Sequence, residues 1–255
     1  MDSKMINRKS QKQVEYDRNR QFYDHYFSMI DLSELGNDKV MDRIKQLDSS
    51  KDFFRVNFIL ANIPEKYYDF EYEDIKSQLE QEKKNLESLD ILETYMSSLE
   101  KALQKGVGLY IYGPHGVAKT TLSTIILKRA MKQYLTTFFC KSLEIIDFAR
   151  SGWKSDDRKR FWNYVPNNVQ FFVIDDVARL AKVAESEQTY IDEIFTKRDG
   201  ANLPTIITSN TSLKESKESF GSALFSNFLE RLIEVPIIGD DYRLSIGKKL
   251  IDQLK

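Results

Sequence analysis

"GLYIYGPHGVAKTTLS", residues 108 to 123, decides how the rest of the chain is read. Gly113, Lys119 and Thr120 fall where the phosphate-loop pattern G-x-x-x-x-G-K-[ST] requires them, and Gly116 adds a second glycine inside the loop. Ala118 stands where that pattern has a glycine. The candidate cradle runs from Gly113 through Pro114, His115, Gly116, Val117 and Ala118 to Lys119, Thr120 and Thr121. In such a loop, successive backbone N–H groups and a helix N-terminus converge on phosphate. Position 118 lies where the chain enters the helix. A right-handed backbone is expected there, and alanine would adopt it without strain.

The 255 residues allow one large core or a main domain with a smaller companion. Hydrophobic residues make up 41% and charged residues 30%; 38 basic side chains face 39 acidic ones, for a net charge of −1. That balance excludes a globally cationic nucleic-acid binder but not a local basic patch. Cys140 is the only cysteine, which excludes an intrachain disulfide and a cysteine-rich zinc site. The polar N-terminus is no signal peptide, and no apolar run approaches a membrane span. A cytoplasmic location without membrane contact is expected.

The texture changes near residue 105. Residues 11 to 47 carry apolar positions among many charges and read as two short amphipathic helices broken at Gly36 and Asn37. From Asp74 to Lys105 helical spacing returns, with Gly106 as a C-terminal stop. The charged part of this run reads most simply as a solvated linking helix. Beyond it, strands are expected at Leu109–Tyr112, Thr136–Cys140, Val169–Asp175 and Pro204–Ser209. Helices are expected at Lys119–Tyr134, Leu143–Arg150, Ser186–Lys197 and Ala223–Glu234. Short apolar strands alternating with helices indicate a parallel sheet with crossover helices, an α/β domain that binds ligands at its strands' carboxyl ends. The expected division is a helical N-terminal region over 1–55, a helical linker over 56–105 and the α/β domain over 106–255.

A second motif points to the same chemistry. "VQFFVIDDVARL" is an apolar run ending in Asp175 and Asp176. Two carboxylates at the tip of a buried strand are costly for a core alone and make sense beside a cation. Asp175 would hold Mg2+, largely through water, with Thr120 as the loop's own ligand, while Asp176 would orient and deprotonate water. A strand end whose acids are merely capped and solvated is the alternative. In "LPTIITSNTS", Thr208, Ser209 and Asn210 emerge after an apolar strand, where an amide could fix the attacking water. A turn rich in hydroxyls would look the same.

Taken in order, "KGVGLYIYGPHGVAKTTL", "FFVIDDVARL", "NLPTIITSN", "FLERLIEVPI" and "GDDYRLS" resemble the AAA+ ATPases, specifically the helicase loaders of the DnaC/DnaI type and the related transposition helper IstB. The resemblance covers roughly residues 55 to 250. It implies a three-layer P-loop AAA+ domain binding ATP and Mg2+. Lys119 and Thr120 would form the Walker A pair, Asp175 and Asp176 the Walker B pair, and Asn210 the sensor-1 residue. Arg231 would be an arginine finger donated to a neighbouring subunit, and Arg243 a second arginine near the nucleotide. Ile63 and Tyr67 would border the adenine. An ion pair of Arg231 with Glu230 or Glu234 is the other reading. The family also implies self-association into a ring or spiral and a DnaB-type hexameric replicative helicase as partner. The N-terminal region lacks the cysteines of zinc-bearing loader domains.

"RSGWKSDDRKRFWNY", residues 150 to 164, interleaves Lys154, Arg158, Lys159 and Arg160 with aromatic residues including Trp162. Cations among rings suit single-stranded DNA, with phosphates on the charges and bases on the aromatics. A helical hairpin burying its rings is the alternative. The leading expectation is an ATP-dependent helicase loader. A transposition regulator acting on duplex DNA and an ATP-binding adaptor with negligible turnover are the others.

Overall fold

The computed structural model describes residues 58, 61–133, 135–152, 168–182, 185–220 and 231–242. Five strands, β1 (Gly108–Tyr112), β2 (Thr137–Lys141), β3 (Phe171–Asp175), β4 (Thr205–Ser209) and β5 (Leu232–Pro236), form one sheet in the order β2-β3-β4-β1-β5. Every pairing is parallel. The described helices are α1 (Tyr72–Leu79), α2 (Leu86–Ser97), α3 (Leu99–Lys105), α4 (Lys119–Lys132), α5 (Ser142–Gly152), α6 (Glu185–Gly200) and α7 (Leu213–Phe220).

Alternation along the strands builds the three layers. Successive side chains point to opposite faces. Leu109, Ile111, Phe139, Phe171, Val173, Ile206 and Val235 face one core, shared with α1 to α4. Tyr110, Phe138, Cys140, Phe172, Ile174 and Ile207 face the other, where Ile145, Ile191, Phe195 and Leu213 from α5, α6 and α7 cover them. Burial on both faces is why these strands read as unbroken apolar runs. β1 and β4 approach so closely that a Cβ on Gly108 would lie 1.9 Å from Thr205 O.

The charged run over residues 71–90 is not one solvated helix, and the helical stretch to 105 is broken. Tyr72, Ile75, Leu79, Leu89, Leu92 and Met96 are buried in the first core. The chain breaks after α1 and re-enters through a 3-10 turn, Lys83–Asn85. Asn85 is fully buried; its amide donates to Leu79 O and Ile238 O, and its Oδ1 accepts from Ile238 N at 2.8 Å. Ser88 Oγ donates to Pro236 O. These bonds stitch the start of α2 to the chain leaving β5. Gly106 ends α3 at φ 64, the left-handed stop expected of it.

One element differs in type. Helical spacing predicts a helix through Glu234, but Leu232–Pro236 is the edge strand β5, paired with β1. Leu232 faces one core and Val235 the other, while Ile233 and Glu234 are exposed. Pairing with β1 overrides local helical spacing, and Pro236 is tolerated because it ends an edge strand. Residues 221–230, the rest of that expected helix, and the N-terminal helices expected over 1–55 lie outside the described residues. No helix among the described residues is long and apolar enough to cross a membrane.

Candidate nucleotide site

The loop between β1 and α4 sits at the carboxyl edge of the sheet, beside the tips of β3 and β4. Two of its glycines are required by what packs beneath them. Gly113 has φ 150, and a Cβ there would meet Ile237 O at 1.9 Å; Gly116 has φ 82, and a Cβ would meet Asp241 Oδ1 at 1.9 Å. The segment after β5 forms this floor, with Ile237 N donating to Tyr112 O and Tyr242 N to Gly116 O.

Ala118 departs from expectation. It is the N-cap of α4 with φ 67 and ψ 17, in the left-handed region, and not right-handed. A side chain in that region costs roughly 1–2 kcal/mol. The strain at the loop's third small residue is therefore real, and the last turn before the helix requires it. Val117 is fully buried, so only its backbone faces the loop. His115 is exposed and lines the cleft. The α4 N-terminus carries no side-chain cap, and its first-turn N–H groups have no intrahelical acceptors. Lys119 is buried, and its ammonium donates to Gly113 O at 2.8 Å and Pro114 O at 2.6 Å.

Thr120 Oγ1 donates to Asp175 Oδ1 at 2.7 Å, and Thr208 Oγ1 donates to the same oxygen at 2.6 Å. Burial pushes the Asp175 carboxyl above its ordinary range, and the Thr208 and Thr120 bonds oppose that rise. Asp176 adopts φ 61, an uncommon conformation that aspartate tolerates better than most residues. Its backbone is held at both ends: its N–H donates to Thr208 Oγ1 at 2.9 Å and its carbonyl accepts from Ser142 Oγ at 2.8 Å. The Asp176 carboxylate is bonded through one oxygen to Asn210 Nδ2 at 3.2 Å and through the other to Arg179 Nε.

Lys119, Thr120, Thr121, Asp175, Asp176 and Asn210 therefore line one cleft of about 760 Å³. Tyr67 lines it too, whereas Ile63 is buried in the core behind. Thr208, Ser142, Arg179 and Phe70 complete the lining or the support and were not singled out as site residues from sequence. Arg179 had a signal, since it falls three residues after Asp176 at the start of a helical turn. The donor set fits Mg2+: a buried carboxylate oxygen and a hydroxyl are hard oxygens, and that ion takes its remaining ligands from water and phosphate.

Arg231 is not in the cleft. It precedes β5 at the opposite, amino edge of the sheet, where Gly108 N donates to its carbonyl. Its Nε lies 3.2 Å from Asp199 Oδ1, and a terminal guanidinium nitrogen donates to Asn202 Oδ1. Arg243 and the basic–aromatic residues Lys154, Arg158, Lys159, Arg160 and Trp162 lie outside the described residues.

A phosphate-type loop entering a helix, facing acids at the tip of a neighbouring strand in a β2-β3-β4-β1-β5 parallel sheet, defines a P-loop AAA+ fold. The chain belongs to the IstB-like ATP-binding family, whose model matches residues 40–249. An ATP-binding protein of insertion sequence IS232 from Bacillus thuringiensis subsp. berliner is 26% identical over 151 residues, 56% of this chain and 58% of that one. The chain thus spans less than two thirds of this relative. Among solved structures, DnaI matches with a TM-score of 0.56 at 19% identity, over 69% of this chain and 95% of that one. The DnaC helicase loader matches with a TM-score of 0.55 at 19% identity, over 69% and 100%. AMPPCP-bound DnaA from Aquifex aeolicus matches with a TM-score of 0.50 at 19% identity, over 64% and 50%. These likenesses establish the fold.

Proposed function

We propose that this chain hydrolyses ATP and uses the cycle to place a DnaB-type hexameric replicative helicase on single-stranded DNA. The observation that carries the enzymatic part is the 2.7 Å bond between Thr120 and Asp175 inside the cleft that Lys119, Asp176 and Asn210 also line. Mg2+, when bound, supplies charge neutralisation on the triphosphate, with Thr120 and Asp175 as its protein ligands. The loop amides from His115 to Thr121 hold phosphate oxygens, and Lys119 exchanges its carbonyl partners for them. Asn210 orients water, and Asp176 accepts its proton. Each Asp176 oxygen makes one hydrogen bond, to Asn210 or to Arg179, and keeps a second lone pair with which to accept from water. By the family resemblance, Arg243 would be a second arginine near the nucleotide. Arg231 completes the site of the next subunit in a ring or spiral, a role consistent with its distance from its own cleft.

The loader half of the reading is supported by the ordered motif series and by a fold shared over nearly the whole of the solved DnaI and DnaC chains. Single-stranded DNA would be held by Lys154, Arg158, Lys159, Arg160 and Trp162. The insertion-sequence relative favours a second reading, a transposition helper acting on duplex DNA. Adding single-stranded DNA, duplex DNA and the replicative helicase of the same cell separately to the full chain, while following ATP hydrolysis and complex formation, tests the proposal. Stimulation by single strands together with helicase capture is expected. Duplex preference without helicase binding would transfer the assignment to the second reading.

A further inference from the structure

Lys128 lies in the second half of α4, the helix that begins at the phosphate loop, and it is only 3% exposed. Among the described residues no carboxylate is hydrogen-bonded to it, although Glu71, Asp69 and Asp74 act on it from farther away. Its ammonium donates instead to three backbone carbonyls: Tyr67 O at 3.0 Å, Tyr68 O at 3.1 Å and Phe70 O. The Phe58 ring lies beside it, 5.9 Å from Nζ to centroid. Three N–H donors on one tetrahedral nitrogen are thus matched to three carbonyls. Burying an ammonium is costly, and its proton affinity is lowered by that desolvation. A carbonyl trio without a formal negative charge repays that cost only in part.

The carbonyls belong to a particular piece of chain. Glu65–Tyr67 is a 3-10 turn, and residues 68–71 run without regular structure to α1. Lys66, Tyr67 and Phe70 from this stretch line the cleft, on the side where α1 contributes Asp74, Ile75 and Gln78. The stretch has no ladder of its own, so its position over the cleft depends on long-range anchors. Lys128 supplies one from the loop's own helix.

We infer that Lys128 is a positioning residue that holds the Tyr67–Phe70 wall against the base-bearing half of the nucleotide, coupling that wall rigidly to the helix that carries the phosphate loop. This rests on the reading of the cleft as a nucleotide site. A wall fixed in advance spares the ligand the cost of ordering it, which is where affinity for the base would be gained. The triphosphate, held by the loop amides and Lys119, does not touch this wall.

The test is titration calorimetry of the full chain with ATP and, separately, with inorganic tripolyphosphate, each with Mg2+. Wild type should bind both. Lys128→Met should lower ATP affinity about tenfold, leaving tripolyphosphate affinity within about twofold. Lys128→Gln keeps two N–H donors without charge; it should fall between the two and serves if the methionine variant does not fold. Tyr67→Ala should also weaken ATP selectively, and the Tyr67→Ala, Lys128→Gln double variant should lose little more than the worse single one, since both act through one wall. Parallel loss of ATP and tripolyphosphate, loss of neither, or full additivity would overturn the positioning role. Failure of wild type to bind either ligand would instead remove the nucleotide reading on which the inference stands.

Discussion

The hydroxyl of Thr120 lies 2.7 Å from Asp175 Oδ1, although 55 residues separate them along the chain. The contact ties the first turn of α4 to the tip of β3, two strands away from the β1 strand that feeds the loop. A carboxylate that accepts two hydroxyls and is 6% exposed is poised for a cation rather than for solvent.

Asp175→Asn separates that role from stability. The folded-state pKa of Asp175 is raised, so the native state holds its proton more tightly than the unfolded chain does. Stability from this group is therefore present below the ordinary carboxylate value and is lost as pH rises through the raised one. Asparagine keeps an acceptor for Thr120 and Thr208 without the buried charge. The nucleotide-free variant should melt higher than wild type at neutral pH, with the difference closing in acid. It should also lose the Mg2+-dependent part of ATP binding. A variant that melts lower at neutral pH would contradict this account of the site.

Ala118→Gly tests the left-handed cap. The strain relieved is roughly 1–2 kcal/mol, against roughly 0.4–1 kcal/mol of extra unfolded-chain entropy. Ala118 also loses a methyl packed on the core. Little net change, or a gain of up to about 1 kcal/mol, is expected, with ATP affinity kept or improved. Gly113→Ala is the contrast, because its Cβ would meet the Ile237 carbonyl; it should destabilise clearly. A large drop in melting temperature for Ala118→Gly would mean that the alanine is preferred for its packing.

Asp176→Asn and Asn210→Ala address chemistry without binding. Neither residue belongs to the phosphate loop, so ATP affinity should stay within a few-fold. Single-turnover hydrolysis should fall by about 10²- to 10⁴-fold for the aspartate variant, the usual contribution of a positioned base. Undiminished hydrolysis by Asp176→Asn would reassign the base.

The legible parts of this molecule are those whose chemistry is local. β1, β3 and β4 are visible as apolar runs because both faces are covered, and their polar endings, Asp175, Asp176 and Asn210, mark where those faces run out. β5 is not visible: Leu232, Ile233 and Val235 continue the helical spacing before them, and only pairing with Gly108–Tyr112 makes them a strand. The left-handed backbone of Ala118 is not legible, because residue type does not report the sign of φ. Thr208 and Ser142 hold the Asp176 backbone at 2.9 and 2.8 Å; Thr208 shows in sequence only as one hydroxyl of a polar strand end, and nothing there distinguishes Ser142. Lys128 is hidden for the opposite reason, since a lysine within an otherwise ordinary helix reads as part of its solvent face.

Arg231 offers the sharpest test of assembly. Its partners Asp199 and Asn202 are at the amino edge of the sheet, far from Lys119, and the pair with Asp199 is partly exposed on both sides. Removing an exposed pair of this kind costs at most about 1 kcal/mol, so Arg231→Ala should fold and bind ATP normally. If the guanidinium completes a neighbour's site, hydrolysis at assembling concentrations should fall by on the order of 10³-fold. Wild-type specific activity should rise with protein concentration, and the variant's should not. Mixing then identifies the mechanism. Lys119→Ala subunits keep Arg231 but lack a working loop, and Arg231→Ala subunits have the reverse defect; each is inactive alone. A mixture creates interfaces that pair an intact loop with an intact arginine, so activity should reappear with a maximum near equal proportions. Without reappearance, Arg231 is only the anchor of β5 to the end of α6.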